Sequence, residues 1–260
     1  MKLKLDKIKR FAEGSLLPLA ILLFWYLSTS LQLVRRDFIP APVDVVAAFN
    51  ETLHDGTFVL SLSKSVVRVL KGFFFGSAAG YLLGTLLGMS KTLEKMVTPL
   101  FNAIRQVPLP AWAPVLVLIS NGEPAQIVFI AIGASYPVVL NTFEGITSVR
   151  KEYLEVANVY RFSRLKTYVK IFLPASLPSV LTGLRIAMSI SWMSVVAAEI
   201  FMTSGGGIGE MMWSGRELSR MDIVFVCIAA ISLAGFTMTA LMRRVERNYS
   251  LWRLTMKQSA

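Results

Sequence analysis

The sequence predicts an all-α integral membrane protein with about six transmembrane helices, both termini being cytoplasmic. Hydrophobic residues make up 54% of the 260 residues and charged residues only 17%, with a mean hydropathy of +0.58. Soluble domains carry about 25% charged residues, so the composition excludes an ordinary soluble domain. The charged residues are clustered, and the apolar gaps between the clusters are long enough to cross a bilayer.

Six apolar stretches follow one another along the chain. They have 17 to 28 residues each, enough for a helix to span the hydrocarbon core, which takes roughly 17 to 25, and only the fifth contains a charged residue, Arg185. Helices are expected because a helix satisfies its backbone hydrogen bonds internally. The stretches are 14–34, 72–90, 106–122, 124–143, 171–198 and 223–242.

The basic residues lie mostly on one side of this arrangement. A net charge of +11 would favour a nucleic-acid partner in a soluble protein. Here 18 of the 27 Lys and Arg residues fall in four segments that share one face of the membrane if the chain crosses six times. The positive-inside rule then places this face, with both termini, in the cytoplasm. We therefore expect a lipid bilayer and no nucleic acid as partner.

One transmembrane domain, 1–260, is predicted. Apolar residues at helical spacing follow Asp44, the expected N-cap of a short external helix. The segments outside the membrane are a cytoplasmic N-terminus (1–13), an external amphipathic segment (38–60), a cytoplasmic loop (147–174), an external glycine-rich loop (203–222) and a cytoplasmic tail (243–260).

The second and third stretches carry unusual residues. Glycine recurs every fourth residue from Gly72 to Gly88, which lets another helix approach closely. Packing within the chain is the favoured interpretation, and a homodimer seam or pore lining are the alternatives.

Three prolines, Pro108, Pro110 and Pro114, prevent a regular helix at the start of the third stretch. Irregular backbone at membrane depth needs protein or a water-filled cavity around it, so that segment is either the wall of a pathway through the membrane or a kinked helix buried in protein.

The chain shows no set of catalytic residues. The single histidine, His54, lies beside Asp55 in the external segment, and the single cysteine excludes an intrachain disulfide. We therefore expect neither a catalytic site nor a metal site.

Glu199 is the acid near the end of a long apolar stretch, where an ionisable group is a functional candidate. The alternatives are an interfacial carboxylate or a partner for Arg185 or Arg68.

The cytoplasmic loop is rich in charges of both signs and in large apolar residues. Either it lies on the membrane as an amphipathic helix or it inserts into the groove of a cytoplasmic partner. Within it, Glu155, Ala157, Ile171, Leu173 and Pro174 match the EAA motif of bacterial ABC-importer permeases, Glu-Ala-Ala-x3-Gly-x9-Ile-x-Leu-Pro. Val156 and Arg161 replace two motif positions, and Arg161 stands where the motif has its glycine, which leaves open how the turn is made.

Other segments also resemble this family, and most closely its nitrate, sulfonate and taurine importer group: Ile39-Pro-Ala-Pro, Pro108 to Pro114, Asn121-Gly-Glu and Gly205 to Gly209. The resemblance implies the type I importer permease fold in the bacterial inner membrane. It also implies a homodimer, two cytoplasmic ABC ATPase subunits that bind ATP and Mg, and an extracytoplasmic solute-binding protein. This chain itself is then not an enzyme and binds no cofactor. The implied cargo is an aliphatic sulfonate, taurine or nitrate, with a thiamine-pyrimidine precursor, riboflavin or an aromatic acid as the alternative.

Two sets of site residues follow from the resemblance and from the residue chemistry. The residues expected to couple to the ATPase are Tyr153, Glu155, Ala157, Tyr160, Arg161, Phe162, Leu165, Ile171, Leu173 and Pro174. The residues expected to line or gate the pathway are Arg68, Arg105, Trp112, Arg185, Trp192, Glu199, Gly205, Gly206 and Gly207.

Three other classes of protein are alternatives to an importer permease. An ATP-independent secondary transporter needs internal repeats and paired intramembrane charges. The sequence shows no convincing repeat and no such pairs. A membrane-embedded enzyme needs a nucleophile with a base, or metal ligands. A scaffold subunit would bind an ATPase without ATP-linked uptake.

Overall fold

The computed structural model describes residues 2–35, 37–202 and 205–258, and this part of the chain is helical without any strand. The predicted all-α class is confirmed. The first two positions of the predicted external loop, 203 and 204, lie outside the described residues, as do positions 1, 36, 259 and 260.

The described residues form eleven α-helices, joined in two places by other helical turns. They are α1 (Lys2–Ser30), α2 (Pro42–His54), α3 (Thr57–Met89), α4 (Lys91–Gln106), α5 (Ala113–Ile119), α6 (Glu123–Thr147), α7 (Lys151–Val159), α8 (Arg164–Thr167), α9 (Leu173–Phe201), α10 (Ile208–Glu217) and α11 (Met221–Gln258). A 3-10 turn (Leu109–Trp112) precedes α5, and a π-helical segment (Tyr168–Phe172) precedes α9.

Three helical stretches of the described chain are long and apolar enough to cross a membrane: Glu123–Thr147, Arg164–Phe201 and Met221–Asn248. They coincide with the fourth, fifth and sixth apolar stretches of the sequence. Two shorter apolar helices, Leu16–Ser30 and Leu109–Ile119, fall within the first and third. The second stretch lies within α3 except for its last residue, Ser90, which is the N-cap of α4.

Two local expectations have clear outcomes. The prolines interrupt the third stretch as predicted, because the chain there forms a 3-10 turn followed by the seven-residue α5. Asp44, however, is not the N-cap of α2. The helix begins at Pro42, whose fixed φ suits the first helical position, and the Asp44 carboxylate accepts a hydrogen bond of 3.2 Å from the N–H of Ala41, the true N-cap.

The chain forms two compact units, and the first comprises residues 1–60 and 211–230. Within it, the Trp25 indole N–H donates to the carbonyl of Pro40 at 3.0 Å. Arg220 donates to Glu51 at 2.7 Å and to Asp222 at 2.9 Å. These two acceptors, the Glu51 carboxylate foremost, raise the pKa of the Arg220 guanidinium above its usual range.

The second unit comprises residues 61–210 and 231–260, and α6 and α9 pack together at its centre. Ile130 of α6 and Val195 of α9 are completely buried in one apolar cluster with Val69 of α3. Ala134, Val138 and Ala187 form a second cluster between α6 and α9.

The glycine stripe of α3 packs against α6. A Cβ atom on Gly80 would lie 2.8 Å from the carbonyl oxygen of Ser135, and one on Gly84 would lie 2.6 Å from that of Val139. The five glycines share this relationship, since each faces backbone or β-carbon atoms of α6. The interpretation of the stripe as packing within the chain is therefore confirmed.

Candidate functional site

The cytoplasmic loop folds as the short helix α7, a tight turn and the one-turn helix α8. The turn is a Schellman motif: the N–H of Phe162 donates to the carbonyl of Ala157 at 2.9 Å, and that of Arg161 donates to Asn158 at 3.0 Å. Arg161 has a φ of +48°. Arg161 therefore adopts the left-handed conformation for which glycine is usually chosen, and the turn needs no glycine.

Large apolar side chains of this loop are exposed. Val159 is 80% exposed, Leu165 74%, Tyr160 71% and Tyr153 52%. Such a concentration on one short segment is typical of a surface that contacts either a partner protein or the membrane. Val159 was not among the predicted coupling residues, although its position beside Tyr160 at the end of α7 was a signal for it.

The other predicted coupling residues support this surface or flank it. Glu155 is exposed, whereas Ala157 is 2% exposed and faces the protein. Phe162 is half-buried, and the ammonium of Lys166 lies 4.3 Å from the centre of its ring. The remaining three lie where the π-helical segment joins α9: Ile171 and Leu173 are half-buried and Pro174 is exposed.

The π-helical segment is also linked to α3. The hydroxyl groups of Tyr168 and Tyr81 are hydrogen-bonded to each other. Since α3 packs on α6 through its glycines, this bond connects the loop to the centre of the second unit.

A buried ionic centre lies at the other end of α9. The Glu199 carboxylate accepts hydrogen bonds from the Ser65 hydroxyl at 2.7 Å, from Arg68 Nη1 at 2.8 Å and from the N–H of Gly209 at 2.9 Å. Ser65 Oγ in turn accepts from the N–H of Ile208 at 2.9 Å. The Arg68 and Glu199 side chains are 3% and 0% exposed. A buried charge is tolerated when it is paired and hydrogen-bonded, and both conditions are met here.

The glycine-rich segment after α9 is tied to this centre through its carbonyl groups. Arg68 donates from Nη1 to the carbonyl of Gly206, and from Nη2 to that of Gly205 at 3.4 Å. Lys64 Nζ also donates to the carbonyl of Gly205, at 2.7 Å. The Glu210 carboxylate accepts from the N–H of Gly206 at 2.9 Å. The segment is thus held by side chains of α3 and α10.

The glycines are required at these positions. Gly205, Gly206 and Gly207 have φ angles of +91°, +80° and +150°, which L-residues rarely adopt. At Gly207 there is also no room for a side chain, because a Cβ atom would overlap the carboxylate of Glu199.

Two of the predicted pathway residues, Trp192 and Arg185, contact α11. Trp192 is 5% exposed, and its indole N–H donates to the carbonyl of Ile231 at 2.7 Å. Arg185 Nε lies 2.7 Å from Glu246 Oε2 in a half-buried ion pair. Of the two arginines proposed as partners of Glu199, the structure therefore selects Arg68.

Arg105 and Trp112 lie on either side of the proline-rich break. Arg105 is exposed in the last turn of α4. Trp112 ends the 3-10 turn, is half-buried and packs against a cluster that contains Phe129 and Ala198. Its indole N–H is buried and has no hydrogen-bond partner in the described part of the chain.

Five residues that form the ionic centre or hold the glycine-rich segment to it were missing from the predicted site: Lys64, Ser65, Ile208, Gly209 and Glu210. A signal for the first two was present, because Lys64 and Ser65 share a helical face with Arg68, four and three residues away. The contact of Gly209 with Glu199 depends on how the chain turns after α9, which no spacing in the sequence indicates.

Comparison with known proteins identifies the family. Residues 76–251 match the family described as binding-protein-dependent transport system inner membrane component. SsuC of Bacillus subtilis, provisionally named an aliphatic sulfonates transport permease protein, is 35% identical over 242 residues, covering 93% of this chain and 87% of that protein. The bicarbonate transport system permease protein CmpB of Synechococcus elongatus is 31% identical over 260 residues, covering 94% and 92%. The nitrate import permease protein NrtB of Leptolyngbya laminosa is 36% identical over 182 residues, covering 70% and 65%.

The fold is that of known ABC importers. The inward-facing MetNI methionine ABC transporter matches with a TM-score of 0.68 at 16% identity, over 75% of this chain and 97% of that one. This likeness supports the predicted type I permease fold, and the apolar helices agree with a multi-pass membrane protein. The chain belongs to the binding-protein-dependent inner membrane components, the permease subunits of ABC importers.

Proposed function

We propose that this permease carries a small oxyanion into the cell, driven by ATP that a partner ATPase hydrolyses. The observation that carries the ATP coupling is the exposed apolar surface of the EAA loop, formed by Tyr153, Val159, Tyr160 and Leu165. A cytoplasmic protein with an apolar groove would cover it. The ATPase would bring the ATP and Mg, so that this chain binds neither.

The structure of the loop supports a rigid connection between this surface and the membrane helices. The Schellman turn at Arg161 fixes α7 relative to α8, and the Tyr168 to Tyr81 hydrogen bond joins the following segment to α3. In this proposal Glu155, Ala157 and Arg161 position the surface, and Ile171, Leu173 and Pro174 transmit its movement into α9. Rigid elements with two arrangements are how such movements are passed on.

The ionic centre is proposed as part of the external gate. It holds Gly205, Gly206 and Gly207 against α3 through Arg68 and Glu199. Trp192 and Arg185 would contribute through the packing of α9 on α11, and Arg105 and Trp112 would lie along the wall. In the proposed transporter this chain forms one transmembrane domain, 1–260, and pairs with a second copy. Two ATPase subunits and an external solute-binding protein bind this homodimer.

The cargo proposal rests on what the relatives are named for. Aliphatic sulfonates, bicarbonate and nitrate are all small anions whose charge is shared among oxygen atoms. We therefore widen the expected cargo from a sulfonate, taurine or nitrate to include bicarbonate, and we rank pyrimidine precursors, riboflavin and aromatic acids below them.

The test of the cargo begins with the cognate binding protein. Its thermal unfolding is measured with taurine, methanesulfonate, nitrate, bicarbonate, a thiamine-pyrimidine precursor and riboflavin. Any ligand that raises its unfolding temperature is then offered to proteoliposomes containing the assembled transporter and ATP. Import of an oxyanion is the expected result. If only the pyrimidine precursor or riboflavin raises the unfolding temperature, the proposal of an importer stands and the proposal of an oxyanion cargo is contradicted.

A further inference from the structure

We propose that a cavity beside the N-terminal half of α3 is a binding site for a small oxyanion within the permease itself. The proposal rests on the oxyanion cargo proposed above for the choice of ligand. The cavity has a volume of about 190 Å³. Its lining residues are Ser63, Lys64, Val67, Arg68, Lys71 and Glu123.

Positive charge predominates in this cavity. Lys64, Arg68 and Lys71 follow one another at helical spacing, so that three cations share one face of α3. Like charges at this spacing are unfavourable, and two of the three are offset by carboxylates. Arg68 pairs with Glu199 at 2.8 Å and Lys71 with Glu123 at 2.7 Å. Among the described residues, no carboxylate forms an ion pair with Lys64, whose ammonium donates to the backbone carbonyl of Gly205.

Hydrogen-bond donors remain available as well as charge. The Nε–H of Arg68 is buried and has no acceptor in the described ranges of the chain. Lys64 and Lys71 each have three N–H donors, and Lys71 is 48% exposed, so its ammonium can turn from Glu123 toward a ligand. Charge-assisted hydrogen bonds from ammonium and guanidinium groups are the interactions that an oxyanion accepts most strongly.

The size of the cavity favours small ligands. Sites for drug-sized molecules have volumes of roughly 300 to 1,000 Å³, and this cavity of about 190 Å³ is smaller. Nitrate, bicarbonate or methanesulfonate suits it better than riboflavin does. The ligand also meets Arg68 here, the residue that holds the glycine-rich segment, so the site lies directly beside the proposed gate.

The experiment measures binding of nitrate and of methanesulfonate to the assembled permease and ATPase in lipid nanodiscs, by calorimetry and without the binding protein. Lys64→Gln and Lys71→Gln each remove one positive charge from the cavity. We expect each to raise the Kd about three- to fivefold, as for other partly exposed charge pairs. Lys71→Arg keeps the charge and is expected to retain affinity.

Glu123→Gln is expected to tighten oxyanion binding, whereas the lysine variants weaken it. It removes the cavity's own carboxylate and frees Lys71, so the Kd should fall. A loss of structure would not tighten binding, and this sign therefore separates a binding site from a structural ion pair. Lys91→Gln, at the start of α4, is the matched control, because it removes the same charge away from the cavity and should leave the Kd unchanged.

Absence of binding to the wild type would overturn the proposal. So would an unchanged Kd in both lysine variants, an equal loss in Lys91→Gln, or a Kd that does not fall in Glu123→Gln. Uptake assays separate this outcome from a failure of the proposed function. Wild-type import of an oxyanion with no effect of these variants on KM would reject only the cavity, whereas variant-sensitive binding without import would reject only the function.

Discussion

Arg68 of α3 and Glu199 of α9 form an ion pair of 2.8 Å that is almost completely withdrawn from solvent. The same guanidinium holds the carbonyls of Gly205 and Gly206, and the same carboxylate accepts the N–H of Gly209. One pair of side chains therefore fixes both the contact between two helices and the course of the glycine-rich segment.

Breaking this pair from one side should be strongly destabilising. Glu199→Leu leaves the Arg68 charge buried without its partner, which costs about 3–5 kcal/mol in comparable pairs. In the double variant Arg68→Met/Glu199→Leu no charge remains, and much of the loss should be recovered. Thermal unfolding of the detergent-purified permease measures both. A double variant no more stable than Glu199→Leu would show that the ion pair is not the cause.

Gly207 should tolerate alanine less well than another glycine with positive φ. Gly122 has a φ of +79°, a ψ of −149° and open space where a Cβ would lie, so Gly122→Ala should lose only the about 1–3 kcal/mol of a backbone conformation that is essentially restricted to glycine. Gly207→Ala adds an overlap with the Glu199 carboxylate and should lose more. The two unfolding temperatures are compared under identical conditions. Equal losses would mean that the segment moves away from Glu199 at little cost.

The glycine stripe should be sensitive to added volume on one face only. Gly80→Val forces side-chain atoms against the backbone of α6 and should cost about 1–3 kcal/mol, as overpacking usually does. Ala79→Val adds similar volume to the exposed face of the same helix and should be nearly neutral. The ratio of folded to aggregated protein after heating reports the difference. If both variants behave alike, close contact of α3 with α6 is not what the glycines provide.

Replacing Arg161 with glycine should stabilise the isolated permease. Its φ of +48° costs an L-residue roughly 1–2 kcal/mol relative to glycine. Arg161→Gly should therefore raise the unfolding temperature of the isolated permease, whereas Arg161→Ala should not, because alanine carries the same backbone penalty. The comparison is made without the ATPase, so that lost contacts to a partner do not enter. A gain in Arg161→Ala would point to charge repulsion as the cause.

The sequence was informative where a local pattern determines a local structure. The four-residue spacing of the α3 glycines predicted close packing, and the prolines at 108, 110 and 114 predicted a break. Glu199 was recognised as a candidate because a carboxylate in an apolar stretch needs a partner, and Arg68 was one of the two partners considered. The EAA motif indicated the family from residues within a single loop.

The features that the sequence did not predict depend mostly on contacts between residues far apart in the chain. Arg68 and Gly206 are separated by 138 positions, and their contact follows from the docking of α3 beside α9. Trp192 carried no sign that it faces α11, since an aromatic residue suits a core and a pathway equally well. The start of α2 was misassigned because Pro42, with its fixed φ, takes the first helical position and Asp44 caps from within the helix.

The central claim is that this chain converts ATP hydrolysis by its partner into inward movement of an oxyanion through the exposed EAA loop surface. Proteoliposomes containing the assembled transporter, the binding protein and ATP are tested with the oxyanion that the binding protein selects. The wild type and Val159→Leu should accumulate it, whereas Val159→Asp, which places a charge in the apolar contact, should lose ATPase binding and uptake together. Full uptake by Val159→Asp, or wild-type uptake that does not depend on ATP, would contradict the account.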